Sequence, residues 1–294
     1  MVKHAYLIMA HKNWAQLRLL LDMLDDQRNE IYLHIDAKST DFEPSLLADA
    51  TSLSKVHLIP RMRVNWGGIS QIECEINLLQ EATKTTHDYY HLLSGADLPL
   101  HSTNYIDKFF NEHRGMEFVQ FTSIAPAAKH PDRDRISLFH PWVNSDNQGL
   151  FLKALEKSST IAQKLVHIDR LKDMDIILGK GANWFSITHD FAQYVLSVYP
   201  QWKYIFEQSF CADELFLQTI LLNSKFKNKV YYKKSDDNNK AIMRLIDWHR
   251  GTPYTYRMDD FHLLEQSHML FARKFDEKID SEIIAALHAH VKEG

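Results

Sequence analysis

The stretch Ala5-Tyr6-Leu7-Ile8-Met9-Ala10 is a continuous apolar run that ends at His11-Lys12. A short apolar run bounded by polar residues is typical of a buried strand, and the helical spacing of apolar residues over 14–24 predicts a helix after it. Similar runs recur between further helical patterns, at residues 31–36, 56–59 and 89–93. This alternation predicts an α/β fold with a mixed, mostly parallel central sheet flanked by helices.

Composition indicates an ordinary compact protein. The 294 residues are 45% hydrophobic and 24% charged, which suffices for one large core or two modest ones, and the net charge of -4 argues against a nucleic-acid binder. The two cysteines, Cys74 and Cys211, lie far apart, which excludes a disulfide framework or a cysteine zinc site and fits a reducing compartment. Because no apolar run is as long as a signal-peptide core or a membrane span, we expect a cytoplasmic protein. Peripheral association with the inner face of the plasma membrane stays open.

Polar residues cluster where the predicted strands end. His11, Asp36 and Lys38 follow the first two strands, and Ser94-Gly95-Ala96-Asp97 follows residues 89–93. Open α/β sheets bind ligands beyond the carboxyl ends of their strands, so these side chains are candidates for a binding site. Polar residues also simply terminate many strands, and position alone leaves both interpretations open.

The second half of the chain divides less clearly. We predict strands over 117–121, 179–187 and 229–232, a helix over 150–171, and a helix that Asp190 caps and Pro200 ends. Residues 122–146 are polar and irregular, which indicates either a solvated loop or a loop that contacts a substrate.

Two adjacent carboxylates, Asp213 and Glu214, open the next helix. Asp213 fits an N-cap and Glu214 a first helical turn, where the helix dipole favours negative charge, so both have a structural explanation. The functional alternative is that Glu214 faces a cleft as a general base.

Two adjacent cations, Arg273 and Lys274, lie between two phenylalanines near the end of the chain. A charge among buried aromatic side chains needs a partner, and a phosphate is a suitable one. The structural alternative is an ion pair with an acidic residue that follows, Asp276 or Asp280.

Seven short strings occur in the order found in one protein family. They are His34-Ile35-Asp36-Ala37-Lys38, Trp66-Gly67-Gly68, Leu93-Ser94-Gly95-Ala96-Asp97-Leu98-Pro99-Leu100, Gly181-Ala182-Asn183-Trp184-Phe185, Ala212-Asp213-Glu214, Arg244-Leu245-Ile246-Asp247-Trp248 and Phe271-Ala272-Arg273-Lys274-Phe275. Through them the chain resembles the core-2/I-branching N-acetylglucosaminyltransferase family, which includes peptide O-xylosyltransferases. The resemblance implies a GT-A-type fold and an inverting transfer of a sugar from a UDP-sugar to an acceptor hydroxyl, without a divalent metal.

The resemblance also implies roles for single residues. Glu214 corresponds to the catalytic base, Lys274 to the diphosphate-binding lysine and Trp248 to the tryptophan that stacks on the acceptor. Arg273 shares the phosphate role, and Arg250 is the candidate for a further phosphate-binding arginine, with Arg257 as the alternative. For the nucleotide, the candidates are His11, Asp36, Lys38, Gly67, Ser94 and Asp97; for the acceptor side, they also include Asp213, Trp184 and Arg244.

We expect a single catalytic domain over 1–294, in which 1–121 bind the nucleotide and 122–294 carry the acceptor and catalytic functions with a C-terminal phosphate-binding segment. UDP-N-acetylglucosamine is the first choice of donor, and UDP-xylose is the alternative. The expected acceptor is a glycan or a lipid-linked oligosaccharide of surface polysaccharide synthesis. The sequence indicates no oligomeric state.

Two Asp-x-Asp strings are the candidates for a metal site in this sequence. Asp132-Arg133-Asp134 and Asp173-Met174-Asp175 do not follow an apolar strand, and the strand before Asp97 supplies a single carboxylate where a metal would need more. We therefore predict that no metal or other cofactor is required. Two rivals remain, a sugar nucleotidyltransferase and a non-catalytic carbohydrate-binding protein. The first would need a glycine-rich loop after the first strand, and the second would leave Glu214 and the cations without a role.

Overall fold

The computed structural model of the protein describes residues 1–145, 149–235 and 239–293. The strands in these ranges are β1 (His4–Ala10), β2 (Asn29–Ile35), β3 (Lys55–Leu58), β4 (Tyr89–Ser94), β5 (Asp97–Pro99), β6 (Ser123–Pro126), β7 (Ile177–Lys180), β8 (Ser186–Thr188), β9 (Arg244–Ile246) and β10 (Phe271–Arg273). The α-helices are α1 (Trp14–Met23), α2 (Ile69–Ala82), α3 (Thr103–Glu112), α4 (Asp134–Ser137), α5 (Leu150–Leu165), α6 (His189–Phe206), α7 (Asp213–Leu222), α8 (Phe261–Glu265) and α9 (Ser281–Glu293). None of the helices in the described ranges has both the length and the apolar character that crossing a membrane requires.

A five-stranded sheet in the order β3-β2-β1-β4-β8 forms the centre of the fold. β1 to β4 are parallel to one another, and the edge strand β8 runs antiparallel to β4. The apolar runs predicted as the first four strands are strands, so the α/β class and the mostly parallel sheet are confirmed. β1, β2 and β4 are almost continuously buried because helices cover both faces of the sheet.

The strand order reverses beside β1, which lies between β2 and β4. After β3 the chain passes through α2 and returns on the other side of β1. In the register of the sheet, Ile35 lies opposite Ala10 and Ser94 lies opposite Met9. The carboxyl ends of β1, β2 and β4 therefore meet at one edge, and such a switch point is where open α/β sheets bind ligands.

The two faces of the central sheet contribute to two hydrophobic cores. Leu7 and Leu92 belong to a cluster with side chains of α2, α6 and α7, whereas Ile8 and Leu93 belong to a cluster with α1, α3 and α9. Successive strand residues alternate between the clusters because side chains along a strand point to opposite faces. The sheet is thus held between helices and presents its carboxyl edge for binding.

A second, three-stranded sheet has the order β5-β10-β9. β10 pairs antiparallel with β5, with Arg273 opposite Asp97, and parallel with β9. Because β5 directly follows β4, this sheet brings the C-terminal cations to the carboxyl edge of the central sheet. The predicted division at residue 121 stays a prediction, although both this sheet and β8 join strands from its two sides.

Several predictions for the second half are wrong. Residues 117–121 and 229–232 form isolated bridges instead of regular strands, and the helix predicted over 150–171 ends at Leu165. In the stretch predicted as irregular over 122–146, residues 122–145 hold β6 and α4, and residue 146 lies outside the described residues. The strand predicted over 179–187 is two strands, β7 and β8, in different sheets. β7 ends just before Gly181. The backbone there passes so close to Gln120 that a Cβ added at Gly181 would lie 1.9 Å from the Gln120 carbonyl oxygen, so only glycine fits.

Helix α6 runs through Pro200, where a helix end was predicted. A proline inside a helix costs about 3 kcal/mol. Ile205 and Phe206 are buried in the last turn, and burial of such side chains contributes about 1.5–3 kcal/mol each, which offsets that cost. The N-cap is Thr188, whose hydroxyl accepts from the backbone N–H of residue 191 at 3.3 Å, and not Asp190.

Candidate active site

The carboxyl edge of the central sheet carries the polar residues predicted there. The Asp36 N–H donates to the Ala10 carbonyl at 2.9 Å, and its buried carboxylate accepts from the Lys38 N–H at 2.8 Å. The Lys38 Nζ donates to Asn65 Oδ1 at 3.0 Å, and His11 lies exposed just beyond β1. These side chains lie at one edge, as expected, and their contact with a nucleotide stays a prediction.

Arg273 is anchored at the same edge. Its Nη1 donates to Asp97 Oδ1 at 2.7 Å and to Ser94 Oγ, and its guanidinium lies 4.4 Å from the centroid of the Trp184 ring. Asp97 also accepts from the Ser94 N–H at 2.7 Å. The ion pair considered for this cation therefore exists, but its partner is Asp97 and not an acidic residue of 276–280. Ser94, Asp97 and Trp184, which were predicted as separate ligand contacts, therefore form one cluster around Arg273.

Lys274 is a cation without a counter-ion in the part of the chain that the structure describes. No carboxylate oxygen there lies within 4.0 Å of its Nζ, and the side chain is partly exposed. Its backbone is fixed, because the Tyr256 N–H donates to the Lys274 carbonyl at 3.0 Å. Lys274 thus follows Arg273 on an anchored backbone, and no described carboxylate neutralises its charge.

The segment that carries the two cations is attached to both sides of the carboxyl edge. The Phe275 N–H donates to the Ala96 carbonyl at 2.8 Å. Gln16 Nε2 donates to the Gly95 carbonyl at 2.8 Å, and Gln16 Oε1 accepts from the Glu277 N–H at 3.0 Å. Hydrogen bonds between distant parts of the chain therefore hold the cations against the turn after β4 and against α1.

The residues that follow β9 lie beside the cations, because β9 pairs with β10. Trp248 is 52% exposed, as a stacking platform requires. Arg250 is already engaged: its Nε donates to Asp247 Oδ2 at 2.5 Å and its Nη1 to Asp260 Oδ1 at 2.6 Å. A phosphate contact by Arg250 would have to share or replace these pairs, and it stays a prediction.

Arg244 lies where no acceptor can reach it. Its side chain is 2% exposed, and its guanidinium donates to the carbonyls of Leu92 at 3.1 Å, Phe185 at 2.9 Å and Ile242. Burial lowers its pKa to about 10, so the group stays charged at neutral pH. The predicted acceptor contact is therefore corrected: Arg244 joins β4, the segment before β8 and the start of β9.

Glu214 lies in the first turn of α7, with its carboxylate 40% exposed. Ala212, and not Asp213, occupies the N-cap position of this helix. Arg135 Nη2 donates to Glu214 Oε2 at 2.8 Å and to the Cys211 carbonyl at 2.9 Å. In the sequence Arg135 is one of several basic residues of an irregular stretch, and no local pattern signals a partner 79 residues away.

The segment 181–185 lies between the candidate base and the cations. The Gly181 N–H donates to the Glu214 carbonyl at 2.9 Å. Three residues further along, the Trp184 ring packs against the guanidinium of Arg273. The fold thus brings the backbone of Glu214 and the guanidinium of Arg273 to opposite ends of one short segment at the edge of the sheet.

Gly67 lies against the start of α7. The Cys211 N–H donates to the Gly67 carbonyl at 2.7 Å, and the φ of +74° at Gly67 lies in the region that favours glycine. An added Cβ would also lie 3.1 Å from Cys211 Sγ. The loop around Gly67 therefore adjoins the carboxylate pair, and its contact with the nucleotide stays a prediction.

Asp213 belongs to a buried acidic pair with Glu75 of α2; they are 8% and 1% exposed. Asp213 Oδ2 accepts from Gln71 Nε2 at 3.3 Å, whereas Asp213 Oδ1 and Glu75 Oε1 are buried without a hydrogen-bond partner in the described ranges. Burial and the charge of Glu214 raise the pKa of Asp213 to about 6. Burial and the charge of Asp213 raise the pKa of Glu75 well above its usual value. Asp213 Oδ1 is buried as well as unpartnered, and the predicted contact of Asp213 with an acceptor stays a prediction.

The contribution of Gln71 and Glu75 to this site was not predicted from the sequence, although their spacing could have indicated it. They are four residues apart, and an α-helix places such residues on one face. The surrounding residues Ile72, Leu78 and Leu79 of α2 are buried. Two polar residues that share the buried face of a helix indicate a polar partner on the neighbouring element, which here is Asp213.

The raised pKa of Asp213 predicts a loss of stability with rising pH. The protonated form is favoured in the folded protein, so its contribution is present below the unfolded pKa of 3.8 and is lost as the pH rises through about 6. A shift of this size corresponds to about 3 kcal/mol. Asp213→Asn should therefore gain up to that amount in free energy of unfolding, relative to wild type, between pH 4 and pH 7.

Urea unfolding at a series of pH values measures this difference. Glu43→Gln, at an exposed position, is the control and should leave the pH dependence unchanged. Parallel curves for Asp213→Asn and wild type would show that the Asp213 carboxyl has an ordinary pKa in the folded protein.

Metal ligands are not clustered in the described ranges: no group of three or more His, Cys, Asp and Glu side chains is arranged to hold an ion. In the first Asp-x-Asp string, Asp132 pairs with Lys180 at 3.2 Å and Asp134 pairs with Lys164 at 2.5 Å. The single carboxylate that follows β4, that of Asp97, is bound by Arg273. Metal independence itself stays a prediction that a binding experiment must test.

Comparison with known families completes the description of the site. The model of the Core-2/I-Branching enzyme family matches residues 4–269. The chain belongs to the core-2/I-branching enzyme family. The resemblance carried by the seven short strings is thereby confirmed. The matched region of this core-2/I-branching protein includes Glu214 and Trp248, and it ends before Arg273 and Lys274.

Individual relatives are distant. Xylosyltransferase 1 of Homo sapiens is 24% identical over 314 residues, which cover 97% of this chain and 30% of that protein. Xylosyltransferase 2 of Rattus norvegicus is 24% identical over 319 residues, which cover 99% and 34%. The chain thus spans about a third of the length of these curated relatives. Among solved structures, the apo form of mouse xyloside xylosyltransferase 1 matches with a TM-score of 0.37 and 10% identity, over 92% of this chain and 96% of that one.

Proposed function

We propose that this core-2/I-branching family member is an inverting glycosyltransferase with a GT-A-type arrangement, which moves a sugar from a UDP-sugar to a hydroxyl of an acceptor sugar. The observation that carries the proposal is that Glu214, through its backbone, and Arg273, the neighbour of Lys274 in the chain, contact opposite ends of segment 181–185. A base and a set of fixed cations at the carboxyl edge of an α/β sheet are what such a transfer requires.

The chemistry assigns one task to each group. Inverting transfer is an in-line displacement, so a carboxylate on the face opposite the leaving group removes the proton of the attacking hydroxyl. Glu214 has that role. The bond between the sugar carbon and the diphosphate oxygen breaks, and the leaving UDP gains negative charge. Lys274 neutralises that charge, and Arg273, held by Asp97, adds to the positive field. No metal is needed in this scheme.

The donor is UDP-N-acetylglucosamine or UDP-xylose. The resemblance to N-acetylglucosaminyltransferases favours the first, and the names of the curated relatives favour the second. The acceptor is a glycan or a lipid-linked oligosaccharide, whose sugar stacks on Trp248. We assign the protein to surface polysaccharide or oligosaccharide synthesis on the cytoplasmic side of the membrane.

A calorimetric titration with UDP tests the proposal. We expect binding in EDTA, with no gain when manganese replaces EDTA, because fixed cations take the place of a metal. A screen of UDP release from the two donors, with a panel of glycoside acceptors, then selects the substrate pair. Binding that needs manganese would contradict metal independence, and the absence of binding in both conditions would favour a carbohydrate-binding protein.

A further inference from the structure

A groove of about 570 Å³ opens between α5 and residues 140–143. Its volume lies in the range of roughly 300–1,000 Å³ that is usual for small-molecule sites. Trp66, Trp142 and Phe210 line it together with Ile161 of α5. We call this feature the α5 groove, and its lining is mainly aromatic and aliphatic.

Helix α5 leaves its apolar side chains uncovered by the described parts of the protein. None of its residues Leu150–Leu165 is buried, and Ile161 and Leu165 are 52% and 75% exposed. The helix is attached through polar contacts such as that between His140 Nδ1 and Glu156 Oε1 at 2.5 Å. The apolar surface of the α5 groove is therefore available to a ligand.

The charge of the α5 groove is positive. Three lysines line it, and Lys164 pairs with Asp134 at 2.5 Å. Lys153 and Lys157 have no carboxylate within 4.0 Å in the described ranges. They are four residues apart and lie on one face of α5. Two unpaired cations beside an apolar lining favour a ligand that combines a hydrocarbon part with an anionic group.

Phe210 connects the α5 groove to the candidate base. Its ring lines the groove and lies 5.9 Å from the Trp66 ring, centroid to centroid. The Arg135 guanidinium lies 5.8 Å from the centroid of the same ring, and Arg135 bonds to Glu214. A ligand in the α5 groove is therefore separated from Glu214 by one phenyl ring and one arginine.

We propose that the α5 groove holds the hydrocarbon part of an anionic amphiphilic acceptor, a lipid phosphate or diphosphate that carries the sugar to be extended. The hydrocarbon part of this acceptor covers Trp66, Trp142 and Ile161, and its phosphate pairs with Lys153 and Lys157. The inference rests on the proposed function, because it specifies the acceptor class of that transferase. An acceptor that is a glycan alone would leave this apolar lining in water.

Tryptophan fluorescence titration with decyl phosphate, below its micelle concentration, tests the apolar part of the site. We expect saturable binding to the wild-type protein. Ile161→Glu should weaken it at least about tenfold, because binding would bury a carboxylate against the alkyl chain. Leu165→Glu is the matched control, since Leu165 lies on the same helix, is also an exposed aliphatic residue and does not line the groove. It should leave the affinity unchanged.

The charged part of the site is tested with a lysine variant. Lys153→Gln/Lys157→Gln should weaken decyl phosphate about tenfold and leave binding of the neutral decyl glucoside unchanged. Equal losses in Ile161→Glu and Leu165→Glu, or no saturable binding to wild type, would overturn the inference. Inorganic phosphate bound as tightly as decyl phosphate would also overturn it, as would binding to phosphatidylglycerol vesicles without binding to the monomeric amphiphile.

A UDP titration separates this inference from the proposed function. Ile161→Glu should bind UDP as the wild type does, because the α5 groove lies apart from the Arg273-Lys274 cations. If UDP binds and decyl phosphate does not, the inference fails and the transferase proposal stands. If decyl phosphate binds as described and UDP does not, the groove is a lipid-phosphate site and the transferase proposal fails.

Discussion

The Lys274→Ala variant is expected to fold normally and to bind UDP roughly a hundredfold more weakly than the wild-type protein. Lys274 is the cation at the carboxyl edge that has no acidic partner in the described ranges, whereas Arg273 is paired with Asp97. The side chain is partly exposed, so its removal leaves no large cavity. The loss should therefore concern the diphosphate and not the stability of the fold.

Calorimetry with UDP in EDTA measures this loss. Lys278→Ala is the matched control, because Lys278 is exposed on the same C-terminal segment and should leave UDP affinity unchanged. Uridine, which lacks the diphosphate, should bind wild type and Lys274→Ala equally. If both lysine variants bind UDP as the wild type does, Lys274 is not the diphosphate ligand and another cation has that role.

The Glu214→Gln variant is expected to bind UDP normally and to lose transfer about a thousandfold, within the roughly 10²–10⁴-fold range of general base catalysis. Glutamine keeps the shape of the side chain, and its carbonyl oxygen can still accept from Arg135 Nη2. It cannot remove a proton from the acceptor hydroxyl. The change therefore removes the base and preserves the geometry around it.

Single-turnover UDP release, with the donor and acceptor that the screen selects, measures the transfer step. Glu207→Gln, at the exposed end of α6, is the control and should transfer at the wild-type rate. Wild-type rates in Glu214→Gln would falsify the assignment of the base. Weaker UDP binding in the same variant would indicate a contact with the donor instead.

Local patterns were sufficient to predict the frame of the site. The apolar runs at β1, β2 and β4 required burial on both faces, and this requirement alone indicates a parallel sheet with helices on either side. The polar residues that stop those runs, His11, Asp36 and Ser94, must then lie at one edge. Short-range sequence information was therefore enough to predict which edge of the sheet carries the candidate site.

Contacts between distant segments could not be predicted in the same way. The partner of Arg273 is Asp97, which lies 176 residues away and is brought opposite it by the pairing of β10 with β5. The Arg135 contact to Glu214 depends on the path of a stretch that has no hydrophobic period. Arg244 was assigned to the acceptor side because it belongs to one of the seven family strings. The structure instead buries it and bonds its guanidinium to backbone carbonyls.

The anchoring of the cations has a consequence for when, during synthesis of the chain, the proposed UDP site can form. Gln16 and Glu277 bond across 261 positions of the chain, so the candidate diphosphate ligands can be held in place only once nearly all of the chain has been synthesised. On the proposed roles of Arg273 and Lys274, the diphosphate site is complete only when β10 has paired with β5 and β9. By mass action, UDP bound to these cations would stabilise the pairing of β10 with its two neighbours, so the nucleotide would protect the C-terminal segment against local unfolding.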